Sequence, residues 1–200
     1  MDPIRVIRGT AAPLDRSDVD TDQIIPASWL KRVERTGFGV GCFSAWRESD
    51  PNFVLNRPEF SGASILVSGP NFGIGSSREH AVWALTDYGF RAVVSPRFGD
   101  IFRNNATKSG LVPVVVSPEF AEALLRAVER DPKLEITIDV AERKISAPVV
   151  GLEEPFPLDA FTQHRLLEGL DDIGLTLRHA DKIAAFESLR PEWMPRVRTS

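Results

Sequence analysis

Apolar residues recur along this chain in short bursts, and the spacing inside each burst predicts its element. Ile4 to Ile7, Ile65 to Val67, Ala92 to Ser95 and Val114 to Val116 are brief, mainly apolar runs that read as short strands. Leu134 to Val140 alternates apolar with polar, the pattern of a strand with one wet face. Helical spacing follows several of these runs. Ala81, Ala84, Leu85 and Tyr88 share one face, and Pro118 to Arg130 opens with proline in its first turn. Strand and helix alternate from 64 to 130, which predicts an α/β layered core around a largely parallel sheet. Beyond it, Glu135 to Val140 and Arg143 to Ala147 read as a hairpin pair and Pro148 to Pro157 as a linker. A helical tail that includes His179 to Leu189 closes the pattern, and it is too short to bury a core of its own.

Composition narrows the chemistry. The 200 residues hold 24 Lys+Arg and 28 Asp+Glu, a net charge of −4, with no block of basic residues, so a nucleic-acid or anionic-membrane surface is not expected. The single cysteine, Cys42, forms no internal disulfide and cannot by itself hold a structural zinc or an iron-sulfur cluster, which need about three or four ligands. Arginine interrupts the apolar residues of the first eighteen positions, and no stretch approaches a membrane span. A cytoplasmic protein with no metal of its own is the expectation.

The segment richest in chemistry is SILVSGPNFGIGSSREHAVWALTDY, Ser64 to Tyr88. A strand runs into Gly69, Gly73 and Gly75, and Ser76-Ser77-Arg78-Glu79 then opens a helix. In an open α/β sheet, ligands sit at such junctions, because the carboxyl end of the strand and the free N–H groups of the helix face one crevice. Glycines allow positive φ and close backbone approach, and the guanidinium of Arg78 is suited to a carboxylate. Ser76-x-x-Glu79 is also the spacing of a capping box, and spacing alone favours that reading. Two adjacent hydroxyls, Arg78 and three glycines exceed what a cap requires. A nucleotide site is disfavoured. Arg78 stands where the third glycine of a dinucleotide fingerprint belongs, and no phosphate-loop Gly-Lys-Ser/Thr occurs.

The run NFGIGSSREHA is accompanied by VDTDQIIPA (Val19 to Ala27), LKRVERTGFG (Leu30 to Gly39), FVLN (Phe53 to Asn56), ALTDYGFRAVVSPRFGDIFRNNATKSGLVPVVV and GLDDIGLTLRHADKIAAFE. With these segments the chain resembles the small subunits of 3-isopropylmalate dehydratases, in the aconitase superfamily, over about Val6 to Glu187. The resemblance implies a single swivelling β/β/α domain, similar to the mobile C-terminal domain of aconitase, with a helical tail. Its extent sets the bounds of the expected organisation, one domain over residues 1–190 and a flexible tail over 191–200. It implies a hydro-lyase of leucine biosynthesis that converts 2-isopropylmalate to 3-isopropylmalate by loss and re-addition of water through 2-isopropylmaleate. The expected partner is a large subunit that carries a 4Fe-4S cluster, so activity belongs to the assembled pair. By the same resemblance Ser76 is the base on the C–H bond, Ser77 and Arg78 bind substrate carboxylate, and Asp22 is an active-site aspartate. Read without the resemblance, Asp22 is a turn or helix-cap carboxylate. A related hydro-lyase acting on homoaconitate or citramalate-type substrates, and a carboxylate-binding module without chemistry, are the alternatives.

The loop after the Asp20-Thr21-Asp22 turn is where the resemblance places substrate choice. Trp29, Leu30 and Val33 are apolar enough to line an isopropyl pocket. Leu30 is expected to face the ligand, while Lys31 and Arg32 face solvent. Other conspicuous residues read as structural. His80 is expected in a polar contact and His164 and His179 on the surface or an interface. Cys42 reads as a small apolar residue, and Phe98, Ile101 and Phe102 as a core stripe.

Overall fold

The computed structural model describes residues 1–31, 36–76, 78–191 and 193–194. Among the described residues, eight strands form two four-stranded sheets. Strands β2 (Ala11–Leu14), β3 (Ile65–Ser68), β4 (Ala92–Ser95) and β5 (Val112–Val115) lie parallel in that spatial order. Strands β1 (Val6–Gly9), β6 (Ile136–Asp139), β7 (Lys144–Ala147) and β8 (Leu152–Pro155) form an antiparallel sheet. The helices are α1 (Thr21–Ile24), α2 (Ser44–Ser49), α3 (Glu79–Tyr88), α4 (Asp100–Lys108), α5 (Pro118–Arg130), α6 (Ala160–Glu168), α7 (Asp172–Leu177) and α8 (Ala180–Ser188). No helix among the described residues is long and apolar enough to cross a membrane.

The parallel sheet follows from the alternation of strands and helices. β3 and β4 are buried at every residue, as parallel strands covered on both faces must be, and α5 packs across β2, β3 and β4. The bounds of α5 match the reading from sequence. Ser117 Oγ accepts from the Phe120 N–H, Pro118 fills the first turn, and Phe120, Ala121, Leu124, Leu125 and Val128 bury one stripe.

Two expectations are corrected, and one strand went unread. β2 was not legible, because Ala-Ala-Pro-Leu lacks both alternation and β-branched residues. Its parallel register with β3 makes it a strand, and its place at the edge of the sheet tolerates Pro13, as the opposite edge tolerates Pro113. The stretch 148–157 is no linker. A short 3-10 turn over Pro148–Val150 and Gly151 at φ +69° reverse the chain, and β8 pairs antiparallel with β7. Its Glu154 carboxylate accepts from the Ser117 N–H and the Ser117 hydroxyl, both at 2.6 Å, and so ties this sheet to the start of α5. In the aromatic stripe Phe98 and Phe102 are buried against Phe72, but Ile101 is 48 % exposed.

A 3-10 turn over Phe38–Gly41 packs closely on α3. The Phe38 N–H donates to Asp87 Oδ2 at 3.0 Å, and a Cβ on Gly39 would lie 2.7–2.8 Å from the backbone of Asp87 and Tyr88. Gly39→Ala is therefore expected to destabilise the chain by about 1–3 kcal/mol, as overpacking does, read as a lower urea midpoint at unchanged m. An unshifted midpoint would show that the turn can move away from α3 at no cost. The tail is helical as expected, and positions 192 and 195–200 of the expected flexible end lie outside the described residues.

Candidate active site

Two loops more than fifty residues apart in sequence are sewn together at the carboxyl ends of β2 and β3. The Asp18 N–H donates to the Pro70 carbonyl at 2.9 Å, and Asn71 Nδ2 donates to Asp18 Oδ1 at 2.7 Å. The Gly73 and Ile74 N–H groups both donate to the Val19 carbonyl, at 2.7 and 3.2 Å, and the Thr21 N–H returns a bond to the Ile74 carbonyl at 3.0 Å. Buried Thr21 then donates from Oγ1 to the Ser76 carbonyl at 3.1 Å. The glycine-rich path is required by this geometry. Gly73 sits at φ +72°, where a Cβ would fall 2.3 Å from the Phe102 ring, and Gly75 sits at φ +93°.

Asp22 and Arg78 meet on this frame, and Ser76 is pinned to it through its carbonyl. Ser76 is exposed, and its hydroxyl makes no hydrogen bond to a described residue. Arg78 donates from Nη1 to Asp22 Oδ1. Its side chain is 17 % exposed and that of Asp22 55 %. A guanidinium carries five donors in a planar fork, so this contact leaves most of its capacity for a second anion. Ser77 lies outside the described residues.

The capping box expected at Ser76 and Glu79 does not form. Helix α3 begins at Glu79, and its N-cap is Arg78, in extended backbone and without a side-chain cap bond. The Ser76 carbonyl is held by Thr21 instead, so the N-cap falls at Arg78, two residues beyond where the local spacing puts it, and the Ser76 hydroxyl is not spent on the helix. A capping box does exist nearby. Asp20 Oδ1 accepts from the Gln23 N–H at 2.7 Å while Gln23 Oε1 accepts from the Asp20 N–H at 2.8 Å, which sets up α1. Of the two aspartates, Asp20 is the cap and Asp22 faces Arg78. The roles of Asp20 and Thr21 were not read from the sequence, although Asp20-x-x-Gln23 carries the spacing that would have found the first.

The described start of the loop expected to govern substrate choice is a 3-10 segment over Ala27–Lys31. Trp29 is half-buried on the core and lies over Gly41, where a Cβ would come within 2.7 Å of its ring, so the core anchors it. Leu30 is half-buried outside that packing, and Lys31 is exposed. Arg32 and Val33 lie outside the described residues. His80 departs from the polar contact expected of it. Its ring packs on Phe38 and Trp83, with centroids 5.3 and 4.7 Å apart. His164 Nε2 lies 2.8 Å from Arg178 Nη1.

Cys42 is fully buried, and desolvation pushes its thiol well above the ordinary cysteine range. It fits neither a nucleophile nor a cluster ligand. Among the described residues no group of three or more His, Cys, Asp and Glu is placed to hold a metal ion.

Residues 1–119 match the family model of the aconitase C-terminal domain, and residues 172–199 match that of the C-terminal domain of the 3-isopropylmalate dehydratase small subunit. The chain is 62 % identical over 201 residues to the 3-isopropylmalate dehydratase small subunit of Acidothermus cellulolyticus, covering 100 % of both chains. To the small subunit of the same name from Frankia alni it is 60 % identical over 195 residues, 98 % of each chain. A crystal structure of 3-isopropylmalate dehydratase (leuD) from Methanocaldococcus jannaschii is similar with a TM-score of 0.66 and 27 % identity, covering 91 % of this chain and 99 % of that one.

Proposed function

This chain belongs to the family of 3-isopropylmalate dehydratase small subunits, and from that premise we propose that Ser76, Asp22 and Arg78 form its share of an active site completed by a large subunit. The family reaction is a hydro-lyase step of leucine biosynthesis, in which 2-isopropylmalate loses water to 2-isopropylmaleate and regains it as 3-isopropylmalate. The observation that carries the reading is the stitched pair of loops, which holds an unspent serine hydroxyl and a guanidinium on one exposed edge.

Each role has a physical basis. Ser76 Oγ takes the C–H proton in elimination and returns it in rehydration. A serine is a poor base in water, so the alkoxide needs a positive surrounding, supplied by Arg78 and the amino end of α3 once a partner excludes solvent. Arg78 grips a substrate carboxylate, and Asp22 orients the guanidinium while no substrate is present. Ser77 adds a hydroxyl to the same carboxylate. Leu30 meets the isopropyl group, each buried methylene contributing about 0.8 kcal/mol.

The 4Fe-4S cluster that the family resemblance implies finds no set of ligands among the described residues of this chain, whose one cysteine is locked in the core. It belongs to the large subunit, where it would act as a Lewis acid on substrate hydroxyl and carboxylate. The isopropyl-facing place of Leu30 favours isopropylmalate over tricarboxylate substrates. Co-expression with a large subunit tests both halves of the reading. A stable complex that turns over isopropylmalate faster than homoaconitate is expected. Preference for homoaconitate would overturn the role of Leu30, and tight carboxylate binding by the free chain with no partner-dependent turnover would support the binding module instead.

A further inference from the structure

Helices α7 and α8 bury none of their side chains. Yet Ile173, Leu177, Ile183, Phe186, Leu189 and Trp193 are 70, 63, 37, 66, 83 and 78 % exposed. Ile173 and Leu177 stand four apart, and Ile183 and Phe186 three apart, so each helix gathers its apolar residues on one face. A single aromatic side chain carries about 150–250 Å². The six therefore expose on the order of 700 Å², close to the roughly 800 Å² that each partner contributes to a standard interface. Monomers ordinarily leave patches of only a few hundred Å² uncovered.

What fastens α7 to the body is polar. Asp172 meets Arg165 at 2.9 Å and Lys108 at 3.2 Å, and Arg178 meets His164 at 2.8 Å. Helices of six and nine residues do not sustain themselves in water, where even about 12–15 residues are marginal, so an apolar cover is the missing source of their stability.

We propose that this apolar surface docks on the large subunit, away from the catalytic edge; the proposal rests on the chain's place in a two-subunit enzyme. The two family matches argue for that occupant. The aconitase C-terminal domain, by its name part of a longer chain, is matched over 1–119, whereas 172–199 matches a model named for the dehydratase small subunit alone. A domain within a longer chain is held near its neighbours by the tether, which acts as an effective concentration of about millimolar. A separate subunit must draw its association from surface, and this small-subunit segment gathers six of the exposed large apolar residues, Val40, Val149 and Phe161 being among those that lie elsewhere. The polar side of α8 mixes Asp181 and Glu187 with Lys182, which is unlike the basic face of a membrane-surface helix.

The test uses the full chain co-expressed with its large subunit. Combining Ile173→Ser, Leu177→Ser, Phe186→Ser and Leu189→Ser in one variant is expected to keep the melting temperature of the free chain within a few degrees. Its affinity for the large subunit falls at least 100-fold by sedimentation. At saturating large subunit its kcat stays within twofold of wild type, because the catalytic edge is untouched. Wild-type affinity in the variant overturns the proposal, as does loss of self-association alone, which would assign the surface to a second copy. Hydrogen exchange on the unmodified complex gives a reading that needs no variant: amides of 172–189 gain protection on assembly, and unchanged exchange there overturns the proposal. Failure of the wild-type chain to bind the large subunit at all would strike the two-subunit reading rather than the tail.

Discussion

In the assembled enzyme, Ser76→Ala is expected to lower kcat by at least about 10³-fold, within the range that a positioned general base contributes, while the two subunits still co-purify. The loss falls on chemistry rather than on architecture because of how the loop is held. Its pins are the Val19, Pro70 and Ile74 carbonyls, the Asp18–Asn71 bond and the Thr21 hydroxyl, and Thr21 grasps the Ser76 carbonyl rather than its side chain. Alanine keeps every one of these bonds. Unfolding midpoints of the free chain should therefore coincide with wild type, and steady-state kinetics on isopropylmalate should carry the whole effect. Near-normal kcat in the variant would remove Ser76 as the base and leave it a loop residue.

The second large effect is expected at Arg78. Arg78→Lys keeps the charge but replaces a planar fork by a point charge, so it can no longer serve Asp22 and a substrate carboxylate together. A fall in kcat/KM of about 10²-fold is expected, the cost of losing a preorganised donor, with KM rising at least tenfold because the carboxylate is bound in ground and transition states alike. Stability should hardly move, since Asp22 is more than half exposed and exposed ion pairs contribute at most about 1 kcal/mol. A variant with unchanged KM would place the substrate carboxylate elsewhere and reduce Arg78 to the partner of Asp22.

How far the fold and site could be read from the sequence depended on how local the causes were. Helix α5 was legible to its ends because its cap, its proline and its stripe all lie within fourteen residues. The parallel core was legible from alternation alone. β2 and β8 were not, since neither has a strand pattern of its own and each exists through pairing with a neighbour. The misread start of α3 has the same origin. Serine at 76 and glutamate at 79 satisfy a local rule, but a threonine 55 positions earlier holds the Ser76 carbonyl and keeps the helix from starting there. At the site, both loops stood out in the sequence, and the resemblance supplied roles for their residues. Their stitching, and the division of labour between Asp20 as cap and Asp22 as the contact of Arg78, emerged only in three dimensions.

The outermost strands bear on life before assembly. A sheet edge offers unpaired N–H and C=O groups to any extended chain nearby, and a subunit made separately meets many copies of itself. Among the described residues, three of the four edge strands carry a proline: Pro13 in β2, Pro113 in β5 and Pro155 in β8. An added strand would find a donor missing from its ladder at each of them. Three of the four sheet edges thus resist growth, which separates them from the apolar tail proposed to meet the partner.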